Sequence, residues 1–339
     1  MTLRTIVFAG VVAAAVGAPA APSAPERLRA TGGLPAHIVG KFREPVAFAV
    51  ATSGEYLVLD SRAHTVYVID RSGELVRKAL PIGLEQGQIL SPAALSLAPN
   101  GIFAVADAPK GNERIQYFTL AGETLGAFYL PPRTAPKATV SMRVLGSVNS
   151  MMFTGRTFLI NQPDAGALIS EFDTTGAIVR QIGSLRVTGH EADRDVTIAL
   201  NVGLPLPDPT GGFYFVFQTG VPMFRKYSAD GRLLFQRHIE GVEIDAAIQS
   251  LPTTWPTRSA GTGMFPVVPP LVRTATVDPT GRLWVSLTEP ITYVYSREGD
   301  KLRTVQFEGA SVLRANSLFF ASPKRLLVTP GCYEFTIGF

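Results

Sequence analysis

The sequence predicts an all-β protein, a six-bladed β-propeller whose blades are four-stranded antiparallel sheets. Three observations predict this fold class. A unit of four strands with two glycine turns recurs along the chain. The two turn glycines of a unit are always 18 to 21 residues apart. Apolar β-branched and aromatic residues alternate with polar residues in the strands, and no long helical period competes with that alternation.

The composition fits this class and disfavours nucleic acid as a partner. The 339 residues are 46% hydrophobic and 17% charged, with 32 Gly and 26 Pro, as expected for a large core and many turns. The net charge of +4 contains no run of like charges that would form a nucleic-acid-binding arm. The aromatic residues lie in the alternating strands, where we interpret them as sheet core.

The N-terminus is predicted to be a signal peptide over residues 1–24, followed by one propeller domain over residues 25–339. Arg4 precedes an apolar stretch of residues 6–16, and small residues then allow cleavage after Ala18 or Ala24. An apolar stretch of this length is too short to span a bilayer comfortably, although an uncleaved anchor remains the alternative. We therefore expect a secreted or periplasmic protein without a stable membrane span. Its single cysteine, Cys332, leaves no intramolecular disulfide.

Five units of the repeat are defined by their turn glycines, because tight hairpins favour a residue that tolerates positive φ. The pairs are Gly54 and Gly73, Gly101 and Gly122, Gly155 and Gly176, Gly212 and Gly231, and Gly281 and Gly299. One unit every 43 to 69 residues favours a six-bladed propeller over a seven-bladed one with a degenerate blade, or over stacked sandwich domains.

The sixth unit, residues 316–339, is predicted to be one strand short, and Lys324 replaces its first turn glycine. The strand-like segment at residues 36–42 precedes the first unit. We expect this N-terminal segment to supply the missing strand and to close the ring, which removes exposed sheet edges.

Three long insertions connect the last strand of one unit to the first strand of the next, at residues 131–144, 184–199 and 241–271. Such connections share one face of a propeller, the face on which the channel opens. Long loops are often functional, and we predict that this face binds the ligand or partner. In the longest insertion we predict a two-turn helix at residues 242–251 and a partner-binding loop with Trp255, Met264 and Phe265.

The string Arg114-Ile-Gln-Tyr-Phe resembles the hallmark of the NHL repeat, and the segment from Glu44 through Asp60 is similar to the same repeat. The resemblance covers roughly residues 42–307 and is strongest over residues 42–130. It implies a six-bladed propeller, a fold used for binding proteins, nucleic acids and small ligands and for some hydrolases and lyases, and it implies no particular activity. We interpret Asp60 and Asp107, at the ends of second strands, as turn caps rather than catalytic acids.

Alignment of the units on their turn glycines places a set of mainly polar residues near the predicted channel. The predicted ligand-binding residues are Glu44, Ser91, Asn149, Asn201, Arg273, Arg314 and Asn316. Their arginine and amide side chains suit a small polar or anionic ligand. The alternative is that they line a water-filled pore or pair with one another.

The calcium-dependent gluconolactonases, also six-bladed propellers, resemble this chain in architecture and imply a second hypothesis. Glu44, Asn149 and Asn201 match part of their cation site, but no Asp falls at an equivalent inner position, and calcium prefers six or more oxygen ligands. The four histidines lie in different units without a metal-ligand spacing.

We therefore predict an exported, non-catalytic propeller that binds a protein partner or a small polar ligand through its loop-rich face. No catalytic residue, metal or other cofactor is predicted for it. The alternative is a pore-centred, lactonase-like hydrolase, which alone would require calcium.

Overall fold

The computed structural model describes residues 24–131, 139–140, 143–144, 150–260 and 263–338, with the backbone alone at residues 139–140, 143–144, 260, 263 and 265. Two short strands, β1 Glu26–Arg29 and β2 Gly32–Gly33, and the helix α1 Ala36–Val39 come first. Six successive sheets of four antiparallel strands then form six blades, so the predicted six-bladed propeller is confirmed. The predicted signal peptide lies almost wholly outside the described residues.

In blades 1 to 5 the four repeat strands form a meander in which consecutive strands pair, whereas blade 6 takes its fourth strand from the N-terminal segment. Blades 1 and 2 contain β3 Pro45–Val50, β4 Tyr56–Asp60, β5 Thr65–Ile69, β6 Val76–Lys78, β7 Ala94–Leu97, β8 Phe103–Asp107, β9 Arg114–Phe118 and β10 Thr124–Tyr129. The next insertion carries β11 Thr139–Val140 and β12 Arg143–Val144. Blade 3 contains β13 Met151–Phe153, β14 Phe158–Ile160, β15 Ala167–Phe172 and β16 Ile178–Ser184. Single 3-10 turns lie at Pro109–Gly111 and Pro163–Ala165.

The second half of the chain repeats this plan, with further insertions. The helix α2 Arg194–Leu200 precedes blade 4, which contains β17 Gly203–Pro207, β18 Phe213–Phe217, β19 Met223–Tyr227 and β20 Leu233–His238. The helix α3 Asp245–Gln249 and the hairpin β21 Thr257–Ala260 and β22 Gly263–Val268 follow. Blades 5 and 6 contain β23 Val272–Val277, β24 Leu283–Leu287, β25 Thr292–Tyr295, β26 Lys301–Glu308, β27 Ser317–Ser322, β28 Arg325–Thr329 and β29 Tyr333–Thr336.

The first strands of the six blades contact one another in sequence, and β27 of blade 6 also contacts β3 of blade 1. These strands therefore form a closed inner ring. An apolar cluster fills each gap between neighbouring blades in the described structure; Trp284, for example, is fully buried between blades 5 and 6. At the blade 1–2 gap, Gly122 has φ +92° and a Cβ there would lie 2.4 Å from the carbonyl oxygen of Ala79. Only glycine permits that close approach.

The ring is closed by an N-terminal strand, as predicted, but the predicted segment is wrong. Residues 36–42 begin with the helix α1, and the fourth strand of blade 6 is β2, which pairs antiparallel with β29. Leu34, just before this helix, and Ile38 within it both lie in the apolar cluster between blades 6 and 1, where Ile38 is fully buried. In addition, β1 pairs in parallel with β26 and gives blade 5 a fifth strand.

The long insertions come together as a cap. The strands β12, β11, β22 and β21 form one four-stranded sheet, in which β11 and β22 are parallel. The sheet thus joins the insertion before blade 3 to the insertion before blade 5. Helix α2 of the middle insertion packs against β22. The predicted helix in residues 242–251 is present as α3. Within the described ranges, no helix is long and apolar enough to cross a membrane.

Candidate functional site

A cavity of about 460 Å³ lies at the centre of the ring, and residues from all six blades line it. Its lining comes mainly from the first halves of the inner strands, at the end where each strand begins. The connections from the preceding blades arrive at the same end. This end of the cavity therefore lies towards the face that carries the three insertions, and we call it the mouth.

Polar side chains gather at the mouth because they lie at the first positions of inner strands or just after second strands. Glu44, Ser150, Arg273 and Asn316 belong to the beginnings of four inner strands. Gln218 and Thr288 directly follow the second strands of blades 4 and 5. Most of these polar groups belong to blades 4, 5, 6 and 1, so one side of the mouth is more polar than the other.

Arg273 is the best-defined polar group at the mouth. Its Nε and Nη2 donate to Oδ1 of Asn316 at 3.2 and 2.6 Å. Its backbone carbonyl accepts a hydrogen bond from Nε2 of Gln218 at 3.1 Å. These contacts connect blades 4, 5 and 6 around one guanidinium.

A second positive charge acts on Arg273. Partial burial and the neighbouring positive charge of Arg314 both lower the pKa of Arg273. Among the described residues, no carboxylate forms a salt bridge with Arg273 or Arg314. Two neighbouring guanidinium groups therefore make this part of the mouth attractive to an anion.

Beyond the mouth, the cavity wall contains aliphatic side chains together with the hydroxyl-bearing residues Thr274 and Ser317. Each blade contributes at least one aliphatic side chain further along its inner strand: Ala47, Leu95, Met152, Leu206, Ala275 and Leu318. Among the described lining residues, the charged ones are Glu44 and Arg273, and both lie at the mouth. The cavity thus has a rim with one carboxylate and one guanidinium, the latter near a second arginine, Arg314, and a wall with aliphatic side chains from every blade.

The buried carboxylates at the ends of the second strands hold the loops that lead into the inner strands. Asp60 is fully buried and accepts hydrogen bonds from the backbone N–H groups of Arg43, Glu44 and Ala63, at 2.6, 3.1 and 2.8 Å. This fixes the backbone of Glu44 at the mouth. Asp107 accepts from the N–H of Leu90 at 3.0 Å. Asp60 thus caps a turn, as the sequence predicts, whereas Asp107 mainly forms a buried ion pair with Arg114.

The structure brings only part of the predicted ligand-binding set together. Glu44, Arg273 and Asn316 line the cavity, and Arg314 lies close to Arg273. Asn149 lies outside the described residues. Whether these residues bind a ligand stays a prediction.

Ser91 and Asn201 lie outside the described cavity lining. The N–H of Ser91 donates to Nδ1 of His64 at 3.0 Å. Asn201 is fully buried at the end of α2, where its side chain accepts from the N–H of Arg186 at 2.8 Å and donates to the carbonyl of Thr197 at 2.9 Å. The alignment on turn glycines did not anticipate that a helix ends at this position.

Gln218, Thr288 and Ser150 were not anticipated as mouth residues. The sequence contains a signal for Gln218 and Thr288, because each directly follows the second strand of its blade. Asp60 and Asp107 are the last residues of the second strands of blades 1 and 2 and so occupy a similar position. The side chain of Ser150 is positioned by a hydrogen bond, in which its hydroxyl donates to the carbonyl of Gly203 at 2.8 Å.

Arg186 connects the cap to blade 4 by hydrogen bonds. Its guanidinium donates to the carbonyl oxygens of Leu200, Thr219 and Val221. Burial, and secondarily the charge of Arg225, lower the pKa of Arg186 to about 10. Arg186 therefore connects the end of α2 to a loop of blade 4 that leads to the mouth residue Gln218.

The predicted partner-binding loop lies in the cap. Trp255 is only 9% exposed and packs with residues of α2 and with Val202 and Val268. Met264 is 59% exposed, whereas the side chain of Phe265 lies outside the described structure. Trp255 thus belongs to the core of the cap, and Met264 is the described side chain of this set that a partner can reach.

The described residues contain no cluster of three or more His, Cys, Asp or Glu side chains that would hold a metal ion. No family model matches the chain, and no curated protein is significantly similar to it. The NHL resemblance therefore stays a prediction.

Solved structures do resemble this chain in fold. Virginiamycin B lyase from Staphylococcus aureus matches with a TM-score of 0.52 and 10% identity, over 91% of this chain and 87% of the lyase. A Bacteroides caccae protein of unknown function matches with a TM-score of 0.48 and 13% identity, over 77% and 81% of the two chains. Hydrazine synthase of Kuenenia stuttgartiensis matches with a TM-score of 0.46 and 11% identity, over 85% of this chain and 92% of the hydrazine synthase chain. At these identities the likeness shows the propeller fold alone.

Proposed function

We propose that this propeller is an exported binding protein that holds a small anionic ligand at the mouth of its central channel. The observation that supports the proposal is the guanidinium of Arg273, which Asn316 orients near Arg314 and which forms no salt bridge with a described carboxylate. A guanidinium has five N–H donors and prefers planar anions such as carboxylates. Asn316 occupies two of these donors, which leaves others for a ligand. Export rests on the sequence of residues 1–24.

We propose binding rather than catalysis because the polar groups at the mouth are engaged in positioning contacts. Asn316 accepts from Arg273, and the Ser150 hydroxyl donates to a backbone carbonyl. A general base or an activated nucleophile requires a partner within hydrogen-bond reach that takes or gives a proton. The best-defined polar pair at the mouth, Arg273 and Asn316, is a donor and an acceptor suited to recognition.

The proposal is tested by calorimetric titration of the protein with three probes of one chain length: octanoate, octanol and octylammonium. Octanoate should bind best. Arg273→Gln should weaken octanoate at least about tenfold, because hydrogen bonds to charged groups contribute about 1.5–3 kcal/mol. The matched control is Arg156→Gln, which removes the same charge from an exposed turn on the opposite face. Equal binding of all three probes, or equal effects of the two substitutions, would overturn the proposal.

The lactonase-like alternative makes a different prediction for the same protein. A pore-centred hydrolase of that kind requires calcium, whereas the guanidinium groups of Arg273 and Arg314 repel cations. Metal analysis after purification in calcium-containing buffer should therefore find no stoichiometric calcium. One tightly bound calcium per chain, together with hydrolysis of a lactone substrate, would replace the binding function with the enzymatic one.

A further inference from the structure

Among the described residues, the charged side chains that line the central cavity lie at its mouth. Arg273, Asn316, Gln218 and Thr288 are at the mouth, while aliphatic side chains from all six blades follow beyond it. Thr274 and Ser317 also line the wall, and the hydroxyl of Ser317 is already hydrogen-bonded to the hydroxyl of Thr329 at 2.8 Å. A ligand that enters deeply must place its polar and apolar parts in the same order.

We propose that the ligand is an amphipathic monocarboxylate, with its carboxylate at Arg273 and an apolar body directed into the channel. This inference rests on the proposed function and adds the chemical class of the ligand. A strongly polar body, such as a sugar, would lose its hydration against Leu95, Met152 and Leu318 without gaining hydrogen bonds there. An aliphatic or aryl body gains free energy from the same contacts.

The size of the cavity limits the length of the apolar body. Its volume of about 460 Å³ lies within the range of small-molecule sites. Since one water occupies about 30 Å³ in the liquid, the cavity has room for about 15 non-hydrogen atoms at that density. A saturated carboxylate with about twelve carbons fills this space.

The position of Ala47 provides a way to shorten the cavity. Ala47 lines the cavity on blade 1, is partly exposed and also packs against the apolar cluster between blades 1 and 2, so we expect a longer side chain to occupy part of the cavity. Ala47→Met should therefore exclude long ligands while leaving Arg273 unchanged. The matched control is Ala229→Met, at an exposed turn.

The experiment is calorimetric titration of the full chain with acetate, butanoate, hexanoate, octanoate, decanoate and dodecanoate, each below its micelle concentration. Affinity should rise about three- to fourfold per methylene, as expected for burial of a CH₂ group. The rise should stop near dodecanoate. Ala47→Met should lower the affinity for dodecanoate at least about tenfold and the affinity for hexanoate by less than about twofold. Ala229→Met should change neither affinity.

The outcomes separate this inference from the proposed function. If carboxylates bind but affinity does not depend on chain length, the amphipathic ligand is excluded and anion binding stands. If affinity rises with length equally for carboxylates and alcohols, the site is an apolar one, and both proposals fall. If no carboxylate binds, the proposed function is wrong, and the inference that rests on it is wrong as well. Should Ala47→Met not fold, the length series with the unaltered protein still decides.

Discussion

Nε and Nη2 of Arg273 both donate to Oδ1 of Asn316, at 3.2 and 2.6 Å, and so connect the inner strands of blades 5 and 6 at the channel mouth. Because an arginine side chain only donates, the asparagine oxygen orients the guanidinium without neutralising it. The pair therefore preserves a positive charge in a fixed orientation.

Replacing this neutral acceptor by a charged one should remove the anion site. Asn316→Asp places a carboxylate against Arg273, and the resulting ion pair competes with any anionic ligand. We expect octanoate affinity at pH 7 to fall at least about tenfold in calorimetry. The control is Asn100→Asp, which introduces the same charge at a turn on the opposite face and keeps the acceptor for the N–H of Ile102. Unchanged affinity in Asn316→Asp would show that the ligand does not use Arg273.

The ring closure at β2 depends on a glycine. Gly33 has φ +137°, and a Cβ there would lie 2.4 Å from the carbonyl oxygen of Cys332. Gly33→Ala should therefore lower the free energy of unfolding by at least about 1–3 kcal/mol. At the adjacent Gly32, the nearest atom to a Cβ is 3.9 Å away, so Gly32→Ala should cost less than about 1 kcal/mol. The two variants are compared by urea unfolding, followed by tryptophan fluorescence. Equal unfolding midpoints would contradict the role of Gly33 in closing the ring.

The buried ion pair between Arg114 and Asp107 should be far more sensitive than an exposed one. Nε and Nη2 of Arg114 donate to the two carboxylate oxygens at 2.9 and 2.7 Å, and both side chains are almost fully buried. Asp107→Ala leaves a buried charge unpaired and should cost about 3–5 kcal/mol. The comparison is Arg29→Gln, which removes an exposed pair with Glu308 and should cost less than about 1 kcal/mol. Similar losses in urea unfolding would be inconsistent with this view.

The single thiol should be inert in the native protein. Cys332 is fully buried, and burial raises the pKa of its thiol from 9.0 to about 12. A disulfide reagent at pH 8 should therefore label the protein only after unfolding, and then once per chain. Because the folded state keeps this proton longer, the associated stability is fully present below pH 9.0 and is lost as pH rises towards about 12. Cys332→Ala should remove this contribution to the loss of stability at high pH. Rapid labelling of the native protein would contradict the burial of Cys332.

The repeat itself could be predicted because it is local. Turn glycines such as Gly54 and Gly73 and the alternation between them are properties of short segments. The closing strand was misplaced because a strand-like pattern at residues 36–42 does not reveal that burial of Ile38 favours a helical turn. The pairing of β11 with β22 joins insertions on different sides of two blades, which no local pattern encodes.

The site was predicted in part for the same reason. Arg273 and Asn316 lie close to the beginnings of regular repeats, where an alignment on turn glycines is accurate. Asn201 follows an insertion, and the helix before it directs its side chain into the end of α2 instead of the channel. Gln218 reaches the mouth from the end of a second strand, a position that the alignment of inner strands did not include.

The strand β2 also has a consequence for the order of folding. Thr31, just before β2, donates its hydroxyl hydrogen to the carbonyl of Glu334, a residue 303 positions away. Blades 1 to 5 can each assemble their four repeat strands from neighbouring sequence, but blade 6 cannot be completed until both distant segments are available. Contacts between such distant residues form slowly. Completion of the propeller is therefore expected to be a late step, after the other blades have formed.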